Sequence, residues 1–446
     1  MEAHLTGSAD AGDQAGEPAP AAANHGVHDG DRKLLVLDTS NSFELIRARS
    51  TEDSVTCRDL GGYFSHVWSV HPVATLTTSE QWTPRNGPPV YYRVNDRHTF
   101  IEGKIGRFPG LSRLFVLNFL IAQAGLIRTL SRLIRKERIS VIRAGDPLYT
   151  GLLSWALSRW HGIPFVVRVG GNHDKVYETT GQPIQPRLFK RRSVEKRVER
   201  FVFRRADLIA AANSDYVEFS VANGARRERT TLFPYGNLID KRHFADPGKR
   251  NVDPGLLTEL GIERGRFLIY VGRLEPVKHP DDVVRLLALL HERGHRLKAV
   301  LVGEGFEQPA LAQLARELGI GDHVVFAGSR GQDWLAQMIP CAAAVVSPIT
   351  GRSLSEAALA GVPIAAYDID WQRDLIETGV TGELVPFRSV EGLADSVEKF
   401  LTDPDYARRM GRGLRERALT MLDHERLDEH ERQQYSALLE RAGRPA

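Results

Sequence analysis

Short apolar runs alternate with helical patterns along most of this chain, and few folds tolerate that order. KLLVLDTS (33–40) is the first run, followed by HVWSVHPVATL (66–76), ISVIRAG (139–145), PFVVRVGG (164–171) and DLIAAAN (207–213). Helical periodicity fills 111–137, 148–161, 188–205 and a segment around 216–223. Strands buried on both faces read as continuous apolar runs, and their alternation with helices marks βαβ units on a parallel sheet. The rhythm breaks over 236–266, which holds Asp-Pro and Asn-Val-Asp-Pro-Gly, and then restarts. Strands are expected at 267–273, 297–305 and 323–328, and helices at 280–293, 308–318 and 389–401, with helical segments onward to about Arg441. The pattern predicts an α/β protein of two doubly wound, Rossmann-like domains facing across a cleft, with ligands at the carboxyl ends of the strands. The expected divisions are a tail at 1–30, a first domain at 31–245, a second at 246–420, and a helix at 421–446 that packs back on the first.

The totals agree with that reading. A chain of 446 residues can build two cores, and its 42% hydrophobic and 26% charged residues are those of a globular protein. A net charge of +3 sets up no strong field for nucleic acid. Cys57 and Cys341 are far apart and lack a metal-ligand pattern, so neither a disulfide framework nor a zinc site is expected. A reducing, cytoplasmic setting fits. No apolar run approaches the ~20 residues needed to span a bilayer. Residues 1–30 are rich in Ala, Gly and Asp, lack the form of a secretory signal, and read as a disordered tail.

The stretch SPITGRSLSEAALAGVPIAAYDIDWQRDLIETGVTGELV (347–385) carries the most chemistry. An apolar strand ends at a turn with Pro348 and Gly351, followed by Arg352; a small-residue helix, SLSEAALAG, then begins with Ser353, Leu354, Ser355 and Glu356, and a second short strand, VPIAAYD, follows. A helix N-terminus after such a turn offers free N–H groups and the positive end of the helix dipole to a phosphate. In YVGRLEPVKHP (270–280), Gly272 allows close backbone approach, Arg273 can fork onto a phosphate, and Lys278 adds a point charge. The competing reading is two solvated cations at a strand end. Gly303, Glu304 and Gly305 fall at the end of another strand on the same rim, where an ordinary β-turn would look the same.

Taken in order, VGRLEPVKHPDDVVRLLALL, the VGEG turn, GDHVVFAG and SLSEAALAGVPIAAYD resemble the retaining GT-B glycosyltransferases, most of all glycosyltransferase family 4. RADLIAAANSDYVEFSVANGARRERTTLFPYGNLIDKRHF is similar to that family's approach to its interdomain linker. The resemblance covers roughly 140–400. It implies that Arg273 and Lys278 bind the donor diphosphate and that Glu356, as second glutamate of a paired motif, bonds the nucleotide ribose. It further implies that Ser353, Leu354 and Ser355 present N–H groups to the phosphates, that Gly328 lies at the nucleobase, and that His173 touches the transferred sugar. Without the resemblance, a lone His in a loop is more often non-catalytic.

The chain departs from the family in two places. Pro348 stands where the first glutamate would be, eight residues before Glu356, with Thr350 or Arg352 available to fill the gap. Ile369-Asp370-Trp371 replaces a glycine pair, and Asp374 stands about where a further glutamate is usual. The implied chemistry is metal-independent transfer from a nucleoside-diphosphate sugar to a hydroxyl on a glycan, a lipid-linked sugar or a small natural product. No cofactor is expected. Arg273, Lys278 and the helix start would stabilise charge on the leaving diphosphate. The alternatives are a sugar-nucleotide epimerase or hydrolase on the same fold, or an inactive sugar-nucleotide-binding protein. Asp281-Asp282 reads as helix capping rather than metal binding. The basic segment LFKRRSVEKRVERFVFRR (188–205) reads first as a helix packed on its own domain; the alternative is a peripheral contact with an anionic inner membrane face or a lipid-linked acceptor.

Overall fold

The computed structural model describes residues 31–48, 51–74, 85–234, 239–349, 351–443. The tail at 1–30 and Thr350 lie outside the described residues. Fourteen strands in the described residues form two sheets. The first holds β1 (Lys33–Leu37), β2 (His66–His71), β3 (Val90–Asn95), β4 (His98–Glu102), β5 (Val141–Ala144), β6 (Phe165–Val169), β7 (Leu208–Ala211) and β8 (Thr230–Leu232). Their order is β3-β4-β2-β1-β5-β6-β7-β8, parallel except for the β3–β4 hairpin. The second holds β9 (Phe267–Val271), β10 (Lys298–Val302), β11 (Val324–Gly328), β12 (Ala344–Ser347), β13 (Ile364–Tyr367) and β14 (Glu383–Val385). It is parallel throughout, in the order β11-β10-β9-β12-β13-β14.

Among the parallel strands each order reverses once, at β1 in the first sheet and between β9 and β12 in the second. At such a switch point neighbouring strands send their helices to opposite faces, which leaves a crevice at the carboxyl ends. The strands are short and buried because both faces are covered. Leu35, Leu37 and Ile142 face Leu126, Leu130 and Ile134 of the helix Phe115–Glu137. Leu34, Val36, Val141 and Val166 face the other way, onto Tyr435, Leu438 and Leu439 of the helix His424–Arg441. In the second sheet, Ile269, Val300 and Val345 pack with Ala357 and Ala358 of the helix Ser353–Leu359 and with Leu414 and Ala418 of the helix Pro404–Met421. On its opposite face lie Leu268, Leu301 and Val346 with the helices Pro280–Glu292 and Val390–Thr402.

The sequence reading placed β1, β2, β5–β7 and β9–β13. It left 77–110 unassigned, and the β3–β4 hairpin lies within that stretch. The segment 236–266 contributes no strand among its described residues; it holds the short helix Pro254–Glu259 and two 3-10 turns.

Candidate active site at the rims of the two sheets

Four adjacent strands of the second sheet end on one rim. Gly328 closes β11, Gly303–Gly305 follow β10, Gly272 and Arg273 follow β9, and Pro348 follows β12. The turns are stitched together by their backbones. Gly272 N donates to Val302 O at 2.9 Å, Leu274 N to Glu304 O at 3.0 Å, and Gly303 N to Gly328 O at 2.9 Å. The helix Ser353–Leu359 is fixed at the switch point by Ser353 Oγ, which donates to Val271 O at 2.8 Å. The structure therefore brings the predicted diphosphate residues, the glycine turn and the helix start to one crevice.

Three predicted glycines owe their identity to packing: a Cβ on Gly272 would lie 2.6 Å from the Tyr270 hydroxyl oxygen. A Cβ on Gly303, whose φ is +135°, would lie 2.0 Å from Gly272 O, and one on Gly305 would lie 2.0 Å from Leu274 O. The close approach that requires glycine at Gly303 and Gly305 is that of the neighbouring turn. Gly351 and Gly328 are different, since a Cβ at either meets nothing within 4 Å.

Arg273 extends from the rim and is 65% exposed, with its guanidinium 2.7 Å from Glu275. An exposed pair of this kind is worth about 0–1 kcal/mol, so the guanidinium is easily released to a phosphate. Burial pushes the Lys278 ammonium below its usual range, and Arg273 adds repulsion in the same direction. An anion arriving between the two cations would relieve that repulsion. Glu356 is buried, and Arg352 Nε sits 3.7 Å from its Oε1. Ser355 is fully buried and its Oγ has no hydrogen-bond partner. An orphaned buried hydroxyl is costly in a core and ordinary in a ligand site. Pro348, at the missing glutamate's position, has its carbonyl held by buried Gln372, whose Nε2 donates to it at 2.8 Å. Gln372 Oε1 in turn accepts from Ser347 Oγ at 3.0 Å.

His173 stands across the crevice, at the start of the helix His173–Thr180, which packs against Pro276–Lys278. Asn172 caps that helix by accepting from Lys175 N. His173 is 8% exposed and its Nδ1 lies 2.7 Å from Glu199 Oε1. With Nδ1–H donating to that carboxylate, Nε2 is left as the ring's other functional atom. Glu199 is gripped by Arg192, through NH1 at 2.6 Å and NH2 at 2.8 Å. Burial alone would raise the Glu199 acid; the bonds from His173 and Arg192 outweigh it and hold it below the usual range.

Sequence reasoning missed this support. The helix Arg192–Phe203, noted for its positive charge, turns Arg192, Glu195 and Glu199 inward as a polar ladder. Glu195 accepts from Ile184 N and Gln185 N. Val198, Phe201, Val202 and Phe203 pack in the core of the first sheet. The spacing of Arg192, Glu195 and Glu199, at three, four and seven residues, was the available signal.

A cluster spanning both sheets was also missed. Asp374 Oδ1 and Oδ2 accept from Ser214 Oγ at 2.5 Å and Ser214 N at 3.1 Å, bracing from the other half the start of the helix Ser214–Ala222, which Asn213 caps. Asp215 accepts from Lys175 Nζ at 2.5 Å and Asn172 Nδ2 at 2.8 Å. Asp370, in the left-handed region at φ +59°, meets Asp215. Burial and that neighbouring carboxylate push the Asp370 acid up to about 7, against the pull of Lys175 and Lys278. Its Oδ1 is buried without a hydrogen-bond partner. Asp281 and Asp282 lie in the first turn of their helix without capping it, and Asp282 instead accepts from Tyr367 Oη at 2.8 Å. With His279 they are close enough to hold a cation.

Comparison with known proteins agrees with this architecture. The family model for glycosyl transferases group 1 matches residues 258–417, and that for the glycosyl transferase 4-like domain matches 67–236. A D-inositol 3-phosphate glycosyltransferase of Nocardia farcinica is 34% identical over 209 residues, covering 43% of this chain and 46% of that protein. An alpha-D-kanosaminyltransferase of Streptomyces kanamyceticus is 28% identical over 265 residues, covering 57% and 66%. The chain thus spans about half the length of the first of these relatives. Among solved structures, HepE of Anabaena in complex with UDP superposes with a TM-score of 0.67 at 19% identity, covering 91% of this chain and 100% of that one. Sucrose-phosphate synthase of Thermosynechococcus elongatus superposes with a TM-score of 0.70 at 18% identity, covering 91% and 99%. The chain carries both glycosyltransferase domains and has the GT-B fold.

Proposed function

We propose that this protein transfers a sugar from a nucleoside-diphosphate donor to a hydroxyl acceptor, with retention and without a metal ion. The observation that carries the reading is the single rim on which Arg273, Lys278, the Gly303–Gly305 turn and the Ser353–Glu356 helix start converge. As the donor's glycosidic bond breaks, negative charge gathers on the diphosphate. Arg273 and Lys278 lie preorganised to receive it, and charge stabilised in a partly dry site counts for more than in water. The N–H groups of Leu354 and Ser355, expected to meet the phosphates, instead donate to Gly351 O at 3.1 Å and Arg352 O at 2.9 Å, so the helix start contributes its dipole. Glu356 is placed for the nucleotide's ribose. His173, held by Glu199, faces the sugar from the other half. UDP and UDP-glucose are named in structures of the similar fold HepE, so uridine nucleotides are the first donors to try. The names of the relatives offer D-inositol 3-phosphate as one acceptor to try. A membrane contact through the helix Arg192–Phe203 would rest mainly on charge, because Val202 and Phe203 are buried and, of its apolar side chains, only Val194 is exposed.

Asp370 gives a second reading some weight. A carboxyl group raised to about 7 in the crevice is the kind of acid or base that a sugar-nucleotide hydrolase or epimerase needs.

The test is a panel of UDP-, GDP- and TDP-sugars with candidate acceptors, following nucleotide release, with and without chelator, and identifying products by NMR. Glycoside formation with the anomeric configuration kept, undiminished by chelator, is expected. Arg273→Ala and Lys278→Ala should each lower kcat/KM by about 10²–10³. Free sugar or an epimerised donor as the sole product would favour the second reading. If no nucleotide raises the melting temperature, or if Glu356→Ala turns over normally, the site assignment fails.

A further inference from the structure

A cavity of about 210 Å³ opens at the switch point of the first sheet. That is far more than the ~10–15 Å³ that admits one water. Its walls come from β1, the turn carrying Cys57 and Arg58, β5, β6 and the helix His424–Arg441. Gly145 and Gly170, the first residues past β5 and β6, complete the lining on the rim side. Three residues beyond Gly170 lies His173, on the helix that reaches Lys278. The cavity's rim at Gly170 is thus joined by a short stretch of chain to the helix that packs on Pro276–Lys278.

Its lining is unusual for this fold. Arg143 and Arg168 occupy the central strands β5 and β6, where a sheet covered on both faces ordinarily carries apolar side chains. Arg58 joins them from the adjoining turn. Three guanidiniums line the cavity with two carboxylates, Asp38 and Glu431. Asp38 is taken by Arg58 at 2.7 Å, and Glu431 by Arg168 at 3.4 Å. Arg143 has no ion pair in the described residues; its NH1 donates to the Tyr435 hydroxyl at 3.3 Å, a long bond to a neutral partner. Cys57 does not add a negative charge, because burial pushes its thiol up to about 11. Glu431 acts on Arg143 as well as on Arg168, so three guanidiniums share two carboxylates, and a further anion would complete the set. Guanidiniums supply the forked N–H donors that phosphate oxygens accept, and three of them line this one cavity.

We propose that this cavity receives a phosphomonoester carried by the acceptor, with Arg143 as its central contact and Arg58 and Arg168 at its sides. The proposal rests on the glycosyl-transfer reading and adds the acceptor's chemical class to it. The phosphate could belong to a soluble polyol or to a lipid-linked sugar; both present the same oxyanion.

The experiment uses the full chain, wild type and Arg143→Gln. Binding of glucose 6-phosphate, inositol monophosphate and a short-chain lipid-linked sugar phosphate in detergent is measured by calorimetry, beside the dephosphorylated form of each. UDP binding is measured in parallel. Phosphorylated forms should bind wild type about tenfold to a hundredfold tighter than their partners, and Arg143→Gln should lose that preference while binding UDP as wild type does. Preference confined to the lipid-linked compound, or to the soluble ones, supports the proposal and identifies the source. Equal binding of phosphorylated and dephosphorylated forms by wild type overturns it, and so does a preference that survives in Arg143→Gln. Should Arg143→Gln fail to fold, Arg143→Lys replaces it: the charge stays, the fork goes, and the preference should fall part-way. A wild type that binds UDP without phosphate preference sinks this proposal alone. A wild type that binds no nucleotide sinks the reading beneath it.

Discussion

The chain of contacts behind His173 shows how one side chain is aimed by others. Arg192 grips Glu199, and Glu199 accepts from His173 Nδ1, so the ring has one orientation and one free nitrogen. Replacing Glu199 by Gln removes the charge from a fully buried site and leaves Arg192 short of a partner. Breaking a buried pair from one side costs about 3–5 kcal/mol, so Glu199→Gln should lose stability of that order in urea unfolding and also turn over more slowly. A loss below about 1 kcal/mol would mean that the network does not hold the helix His173–Thr180. That Arg273, Lys278 and Glu356 lie at a strand end and a helix start was legible in the sequence, because such places can be located from pattern; their roles came from the family resemblance. The reason for Gly303 and Gly305 was not legible. Pattern places a glycine at a strand end, but only the fold shows that a neighbouring carbonyl fills the space beside it. Glu199 was hidden for a related cause: on a helix so rich in charge, the three-, four- and seven-residue spacing of Arg192, Glu195 and Glu199 is easily taken for a solvated face.

Among the elements, the turn after β13 is the one whose behaviour should depend on pH. The Asp370 acid titrates near 7 in the folded chain and near the ordinary carboxylate value when unfolded. The folded state therefore binds the proton more tightly between those limits. Its contribution to stability is complete below the unfolded value and is lost as pH rises through about 7. Asn at 370 keeps a donor for Asp215 and cannot ionise. Melting temperature measured from pH 5 to 8 should fall for wild type relative to Asp370→Asn, and parallel curves would refute the assignment. The longer strands and helices were legible because each is a continuous periodic segment. The β3–β4 hairpin was not. In β3 the side chains alternate between half-buried and exposed, and its turn lacks the Asn-Gly signal that marks tight hairpins. The cluster of Ser214, Asp215, Asp370 and Asp374 was not legible either, since its members lie about 150 residues apart in sequence and meet only when both sheets are formed.

At the scale of the molecule, the helix His424–Arg441 matters most. It follows the helix Pro404–Met421, which belongs to the core of the second sheet, yet its own apolar residues lie in the core of the first. Tyr435 is fully buried, with its ring centroid 5.1 Å from Phe64 and 6.0 Å from Phe233, and its hydroxyl accepts from Arg143. Tyr435→Ala should cost about 3–5 kcal/mol, read by denaturant unfolding, because the cavity it leaves is walled by β strands that cannot collapse into it. A loss under about 1 kcal/mol would show that the helix is not part of that core. The chain therefore passes between the two sheets twice, once between β8 and β9 and once through Leu422 and Asp423. Two tethers define an axis. A single linker would let one half swivel freely over the other; two, one of them only a couple of residues long, leave a gape about the line that joins them. Substrates must then enter and leave by the side away from the tethers, and whenever the halves close they return to the same facing.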